Sequence, residues 1–264
     1  ELCYKCHDGV QEEMEKKTIH SPAKENCFNC HNPYNSKESY LLLKPSAELC
    51  YSCHESSKEQ IEKASIVHKA LNEEQFCANC HSPHGSDEAN YLRSGEKELC
   101  LNCHNKIYTN DSVSIDNIKK LLENSKSIHK PVNEGCSSCH NAHVAEYPGL
   151  LIKKFPVGLY AESNKEEYAL CFSCHKTELL ELEKSNTATN FRNGDQNLHF
   201  MHIKGKRGRS CITCHNVHAS KNEYLIENNV LFGNWKMPIK FVKHENGGSC
   251  APGCHSEEMY DRGE

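Results

Sequence analysis

The chain has 264 residues with 18 cysteines, 18 histidines, a net charge of -5 and a mean hydropathy of -0.75. This mixed charge does not suggest a nucleic acid as partner, and no apolar run approaches the roughly 20 residues that a membrane-spanning helix needs. A chain of this length normally buries about 70–75% of its surface over a large apolar core. Since only 37% of its residues are hydrophobic, we expect something other than side chains to fill the interior.

All 18 cysteines fall into nine pairs, and a histidine follows the second cysteine of every pair. Two residues separate the cysteines in eight pairs, and three residues separate them in the last pair. In chain order, the cysteines and their histidines are Cys3, Cys6 and His7; Cys27, Cys30 and His31; Cys50, Cys53 and His54; Cys77, Cys80 and His81; Cys100, Cys103 and His104; Cys136, Cys139 and His140; Cys171, Cys174 and His175; Cys211, Cys214 and His215; and Cys250, Cys254 and His255.

The CxxCH pattern is the attachment signature of c-type haem. Each thiol can form a thioether to one porphyrin vinyl group, and the adjacent histidine is then the proximal ligand of the iron. Zinc sites do not require a histidine directly after every second cysteine, a redox dithiol needs one pair rather than nine, and disulfides would not select a following histidine. The sequence therefore predicts nine covalently bound haems c.

Nine histidines remain, one for each predicted iron, and we interpret them as distal haem ligands. Five stand shortly before a motif, three stand three residues after a proximal histidine, and one has neither position. In that order they are His20, His68, His129, His202 and His244; His84, His143 and His218; and His199. Side chains three residues apart point to one side of a helical turn, whereas the two ligands of one iron lie on opposite porphyrin faces. We therefore expect the three trailing histidines to bind a neighbouring haem.

The motifs alternate between two types, which indicates a repeat. Leu-type motifs have a leucine before the first cysteine, and second-type motifs have a trailing histidine, except that Tyr34 takes this place in the first repeat. The Leu-type motifs start at Cys3, Cys50, Cys100 and Cys171. We expect two-haem units at 1–48, 49–98, 99–168 and 169–243, and a single-haem cap at 244–264.

This repeat also suggests which ligand serves which haem. We expect the five upstream histidines to serve second-type haems, and the trailing histidines to serve Leu-type haems, with His199 replacing the ligand that is missing at Tyr34. Methionine could also be an axial ligand, but the four methionines have no regular spacing from a motif, and we interpret them as packing residues. They are Met14, Met201, Met237 and Met259.

Helical periodicity is short, and the segments between are rich in asparagine, serine, glycine and proline. Helices are predicted within Val10–Ile19, Ser57–Ala70, Ser112–Ile128 and Lys176–Ser185. Because strand signals are weak, we expect a mostly irregular chain with short α-helices and few or no strands, cored by haem. Repeats that mainly contact their neighbours would give a quasi-linear haem array.

The sequence resembles the doubled-CXXCH multihaem cytochromes c through "CANCHSPH", "CSSCHNAH" and "CITCHNVH", and its tail "GGSCAPGCHSEEMYDR" is similar to the C-terminal haem segment of that family. The resemblance implies electron transfer rather than enzymatic catalysis, in extracellular electron transfer or anaerobic respiration, with redox proteins or further copies of the chain as partners. It also implies haem attachment outside the cytoplasm, in the periplasm, at the outer membrane or outside the cell. Because Cys3 already belongs to a motif, we expect a targeting segment to have been removed.

Two alternatives stay open at this point. The chain can be the subunit of a conducting extracellular filament, since a haem at residue 3 and an unpaired half-unit at the other end suit head-to-tail contact. It can also be a multihaem reductase of nitrite, hydroxylamine or tetrathionate. A reductase needs an iron with an open position, and here no motif replaces histidine with lysine.

Overall fold

The fold consists of many short elements, and the computed structural model describes them over residues 2–109, 114–205 and 208–263. In these ranges helices α1 to α9 are Asp8–Met14, Ser21–Glu25, Ser46–Tyr51, Glu55–Lys63, Glu96–Cys103, Ile118–Glu123, Lys130–Glu134, Glu178–Glu181 and Leu198–Ile203. Strands β1 to β15 are Thr18–Ile19, Ile66–Val67, Gly85–Ser86, Tyr108–Thr109, Ser114–Ile115, Ser127–Ile128, Val144–Ala145, Arg192–Asn193, Gln196–Asn197, Ala219–Ser220, Asn229–Phe232, Trp235–Pro238, Phe241–His244, Gly247–Cys250 and Glu258–Asp261.

The expectation of a mostly irregular chain with few or no strands is wrong. Within the described ranges, 15 strands form seven small sheets. The strands β1 to β10 have two residues each, which is too short for an alternating hydrophobic pattern to be recognised. The longer β14 reads Gly-Gly-Ser-Cys, and glycine is a poor strand former by composition. These strands could therefore not be predicted from side-chain patterns, because backbone hydrogen bonds rather than alternating side chains define them.

The predicted helices exist but end early. Helix α1 stops at Met14, and β1 follows it directly before His20; helix α4 stops at Lys63, and β2 follows it directly before His68. The predicted helix 112–128 begins outside the described residues, and its described part likewise contains α6 followed by β6. Each chain segment thus leaves the helical conformation shortly before an upstream histidine.

The chain divides into two compact units, and the first comprises residues 1–103 and 135–150. Its sheets are two-residue antiparallel ladders: β1 pairs with β3, and β2 pairs with β7. Among the described residues of this unit, no apolar side chain is buried. The first unit therefore has no hydrophobic core formed by its own side chains.

The second unit comprises residues 104–134 and 151–264. Strand β6 pairs with β10 in the same type of ladder, β11 and β12 form a hairpin, and β13, β14 and β15 form an antiparallel sheet in that order. A small apolar cluster joins Tyr168, Leu180 and Ile203. The buried apolar side chains of the described chain all lie here: Leu122, Pro156, Tyr168, Leu180, Leu198, Ile203, Ala219, Met237 and Ile239.

Candidate haem sites

The motifs fold as tight turns that fix the two cysteines relative to the histidine. In several motifs the first cysteine opens a 3-10 turn, for example Cys27–Asn29 and Cys136–Ser138. In seven motifs of the described chain, the proximal histidine N–H donates to the carbonyl of the first cysteine at 2.9–3.0 Å. In the last motif the extra residue widens the turn, and the N–H of His255 donates to Pro252 at 3.4 Å. Local sequence therefore suffices to present both sulfurs and the imidazole together.

Six proximal imidazoles face a second imidazole across a nearly constant gap. A metal–imidazole bond of about 2.0 Å on each side, with about 1.1 Å from each Nε2 to its ring centre, would place two ring centres about 6.2 Å apart. The observed separations of the ring centres fit an iron between the rings: His20–His54 6.2 Å, His31–His84 6.2 Å, His81–His143 5.9 Å, His129–His175 6.0 Å, His199–His215 6.4 Å and His202–His255 6.4 Å.

Hydrogen bonds leave Nε2 of the proximal rings available to iron. Nδ1 of four second-type proximal histidines bonds to the backbone carbonyl of the residue nine positions later. These pairs are His31–Tyr40 at 2.9 Å, His81–Asn90 at 2.7 Å, His140–Gly149 at 2.7 Å and His215–Tyr224 at 2.8 Å. A carbonyl can only accept, so Nδ1 carries the proton and Nε2 keeps its lone pair. Metal-binding histidines are commonly oriented in this way.

The four carbonyl acceptors are functional positions that sequence reasoning missed. Each belongs to a residue in the left-handed region: Tyr40 at φ 55°, Asn90 at φ 54°, Gly149 at φ 75° and Tyr224 at φ 59°. Glycine and asparagine are the residues that usually indicate this conformation, but two of the four are tyrosines. The turn could therefore not be recognised from the sequence in every repeat. An aliphatic residue two positions later does recur, and it pairs with the proximal histidine in the bridges His31–Leu42, His81–Leu92 and His215–Ile226.

The short ladders join an upstream histidine to a trailing histidine of the next repeat. The N–H of His20 donates to the carbonyl of His84 at 2.8 Å, and the N–H of His129 donates to His218 at 2.9 Å. The N–H of His68 donates to the carbonyl of the trailing histidine at 143 in the same way, at 2.9 Å. Each ladder therefore brings two distal histidines to one place, and carries both away from their own motifs.

Five of the six ring pairs run opposite to the expected assignment of ligands, and the sixth, upstream His202 with His255 of the last motif, has the expected type. Upstream His20 faces His54, which belongs to the next Leu-type motif, and upstream His129 likewise faces His175. Trailing histidines face second-type motifs of the preceding repeat: His84 faces His31, and His143 faces His81. His199 faces His215 rather than a Leu-type motif. The ladders explain this difference. Each ladder holds an upstream and a trailing histidine together at the boundary between two repeats, away from their own motifs.

Burial keeps several of these rings in the neutral form that binds metal. Burial lowers the pKa of His199 to about 4, with further lowering by the neighbouring His215, His202 and His175. Burial also lowers the pKa of His143, and nearby His81 adds to this effect. An uncharged imidazole is the form that coordinates iron.

The cysteine sulfurs place successive motifs side by side. Within the described residues, the first thiol of a Leu-type motif lies beside the first thiol of the following second-type motif. The interaction between the two thiols lowers the pKa of one of them and raises that of the other. The three contacts are Cys50–Cys77, Cys100–Cys136 and Cys171–Cys211. Porphyrins attached at these sulfurs would lie close enough for electrons to pass between them.

The next contact along the chain uses the second thiol of the second-type motif. Burial raises the pKa of Cys30, and the nearby thiols of Cys50 and Cys53 raise it further. Burial likewise raises the pKa of Cys80, next to Cys103, and Cys214 has Cys250 and Cys254 as its neighbours. Within each unit, motif contacts thus alternate between two kinds and follow chain order.

The remaining histidines divide into two groups. His68, His104, His140 and His218 all have interaction partners. His7 and His244 are exposed, and neither ring contacts another histidine within the described residues. Tyr34 is 90% exposed.

A family comparison agrees with this repeat. The model of the doubled CXXCH motif family matches residues 20–59, 68–108 and 129–179, which together are half of the chain. The chain belongs to the doubled-CXXCH family. It is accordingly a multihaem c-type cytochrome that binds haem covalently and transfers electrons. No curated protein matches it. Each match begins at an upstream histidine and covers a second-type motif with the Leu-type motif after it, and the pairs His20–His54 and His129–His175 each fall within one match.

Among the described residues, no helix is long and apolar enough to cross a membrane.

Proposed function

We propose that this cytochrome carries electrons through nine haems c, each with two histidine ligands, outside the cytoplasm. The observation that carries the proposal is the set of six imidazole pairs whose ring centres lie 5.9–6.4 Å apart, with Nδ1 bonded in most of the rings concerned. Haem iron supplies the one-electron chemistry, and the chain supplies ligands, orientation and local charge. Two imidazoles per iron leave no position for a substrate.

Within each unit, the alternating thiol contacts support a path in chain order. A Leu-type haem and the following second-type haem meet at Cys50 and Cys77, and the next step uses Cys80 and Cys103. Electron transfer requires such proximity and suitable potentials, so no side-chain rearrangement is needed at each step. Redox proteins would donate and accept electrons at the ends of this path.

Haem content and spin state test the proposal. The mature protein should carry nine haems by mass, the ferric protein should show low-spin signals, and the reduced protein should bind little carbon monoxide. A mass that corresponds to fewer than nine haems would contradict the count. Cell fractionation with external protease treatment separates a periplasmic protein from one on the cell surface.

A specific observation favours the filament as a second candidate. The repeat supplies a Leu-type haem with the upstream histidine of the preceding repeat, as His20 does for His54. His7 and His244 are both exposed, and neither ring contacts another histidine within the described residues. We infer that His244 of one copy binds the haem of His7 in the next copy.

Electron microscopy and spin state test this second candidate together. Native material should form filaments, whereas the isolated monomer should have one high-spin haem. His244→Ala should stay monomeric with that high-spin haem, and Lys240→Ala, a change on the same segment, should still polymerise. A monomer with nine low-spin haems would contradict the exchange of ligands. A native assembly whose first haem stays open and reduces nitrite or hydroxylamine would indicate the reductase instead.

A further inference from the structure

Glu13 makes a contact that sets one haem apart from the others. Oε2 of Glu13 lies 2.6 Å from Nδ1 of His84, the distal ring that faces His31. The side chains of Glu13 and His84 are 35% and 23% exposed, so water screens this contact only in part. The haem held by Cys27 and Cys30 would therefore have one axial ligand bonded to a carboxylate.

The other distal rings with a described Nδ1 contact bond to neutral oxygens. His20 bonds to the carbonyl of Pro83 at 3.0 Å, and His129 bonds to that of Val217 at 2.9 Å. Backbone and hydroxyl oxygens likewise serve His202, through Leu198 at 2.7 Å, and His199, through Thr189 at 2.9 Å. A hydrogen bond to an ionised acceptor is roughly twice as strong as one between neutral groups.

The backbone is arranged so that α1 can bring this carboxylate to the ring. Gly85 follows His84 directly, and a Cβ added there would lie 2.2 Å from the backbone oxygen of Glu13. The corresponding residues after the other trailing histidines are Val144 and Ala219, which do have a Cβ. The chain after α1 is held by Asp87, which accepts from Lys16 Nζ and from the backbone N–H of the next residue, both at 3.0 Å. The close approach is thus particular to this repeat.

We propose that Glu13 lowers the reduction potential of the haem attached at Cys27 and Cys30. The carboxylate draws the Nδ1 proton of His84 and makes the ring more basic, as carboxylate partners of metal-bound histidines do. A more basic ligand stabilises ferric iron more than ferrous iron, so the one-electron reduction becomes less favourable. This inference rests on the proposed haem between His31 and His84, and it assigns Glu13 a tuning role rather than a ligand role.

Glu13→Gln tests the inference, with Glu12→Gln as its matched control. Both changes remove one negative charge from α1, but Glu12 is exposed and does not contact His84. Glu13→Gln should shift the ferrous-to-ferric ratio of one haem about tenfold toward ferrous at fixed potential, about 59 mV for one electron. Glu12→Gln should leave all nine potentials unchanged. Spectroelectrochemical titration measures both variants, and equal shifts in the two would overturn the inference.

A double-variant cycle identifies the haem. His84→Met should raise the potential of the same haem, since methionine ligation raises potentials. Glu13→Gln should then add no further shift, because the His84 ring that donates its Nδ1 proton to Glu13 is gone. If His84→Met moves one potential but Glu13→Gln moves none, the inference fails and the bis-histidine haem stands. If His84→Met moves none, the ligand assignment fails, and the inference fails with it.

Discussion

Replacing His143 with alanine should open the iron held by Cys77, Cys80 and His81. His143 follows its own motif by three residues, but its ring centre lies 5.9 Å from that of His81. The spin state of the haem held by His140 should therefore not change. The open iron should become high-spin in the ferric state and bind carbon monoxide in the ferrous state.

The structure gives the size of this effect. A methyl group offers no lone pair and ends several ångströms short of the iron, so ligation is lost outright rather than weakened. One haem in nine should change spin state, and each chain should take up one carbon monoxide. The carbonyl of residue 143 would still accept from His68 at 2.9 Å, so the ladder between β2 and β7 should persist.

Removing the partner haem shows which iron His143 serves. In a Cys77→Ala, Cys80→Ala background, whose haem loss is verified by mass, His143→Ala should create no high-spin haem. His84→Ala, whose partner is His31, should still create one in that background. An open iron that persists after His143→Ala in this background would refute the pairing of His143 with His81.

Three further outcomes follow from the same geometry. His20→Ala should remove the distal ligand from the iron of His54, in the next motif. Carbon monoxide titration in variants that lack single haems can locate the open iron. Gly85→Val should destabilise the protein by about 1–3 kcal/mol in thermal unfolding, since its Cβ would lie 2.2 Å from a backbone oxygen of α1. Gly95→Ala, with open space around its Cβ, should change little. The chain produced without haem attachment should lack stable tertiary structure by near-ultraviolet circular dichroism, because its first unit buries no apolar side chain in the described residues.

The attachment chemistry could be predicted from sequence because its requirements are local. Two thiols and an imidazole within five residues form a turn that carries its own hydrogen bond, from His31 to Cys27 for example at 3.0 Å. The family match confirms covalent haem binding. No distant part of the fold needs to be known for this step.

The pairing of distal ligands could not be predicted, because it depends on contacts between repeats. Spacing showed that His84 does not suit its own iron, but not that a two-residue ladder with His20 would decide where both rings go. A β-branched residue does precede each of the upstream histidines in the ladders, at Ile19, Val67 and Ile128, but two residues do not identify the strand that pairs with them.

The exchange of ligands also bears on how a chain without a large core can fold. An iron between His31 and His84, or between His81 and His143, would join segments of neighbouring repeats that are 53 and 62 residues apart in the sequence. A covalent cross-link that closes a loop of roughly 50 residues contributes about 4 kcal/mol by restricting the unfolded chain, which is comparable with the whole stability of many domains, about 5–15 kcal/mol. Metal binding that requires the folded site is itself folding free energy. Distal histidines in the first unit should therefore contribute more to stability than those in the second, where Tyr168, Leu180 and Ile203 also pack together.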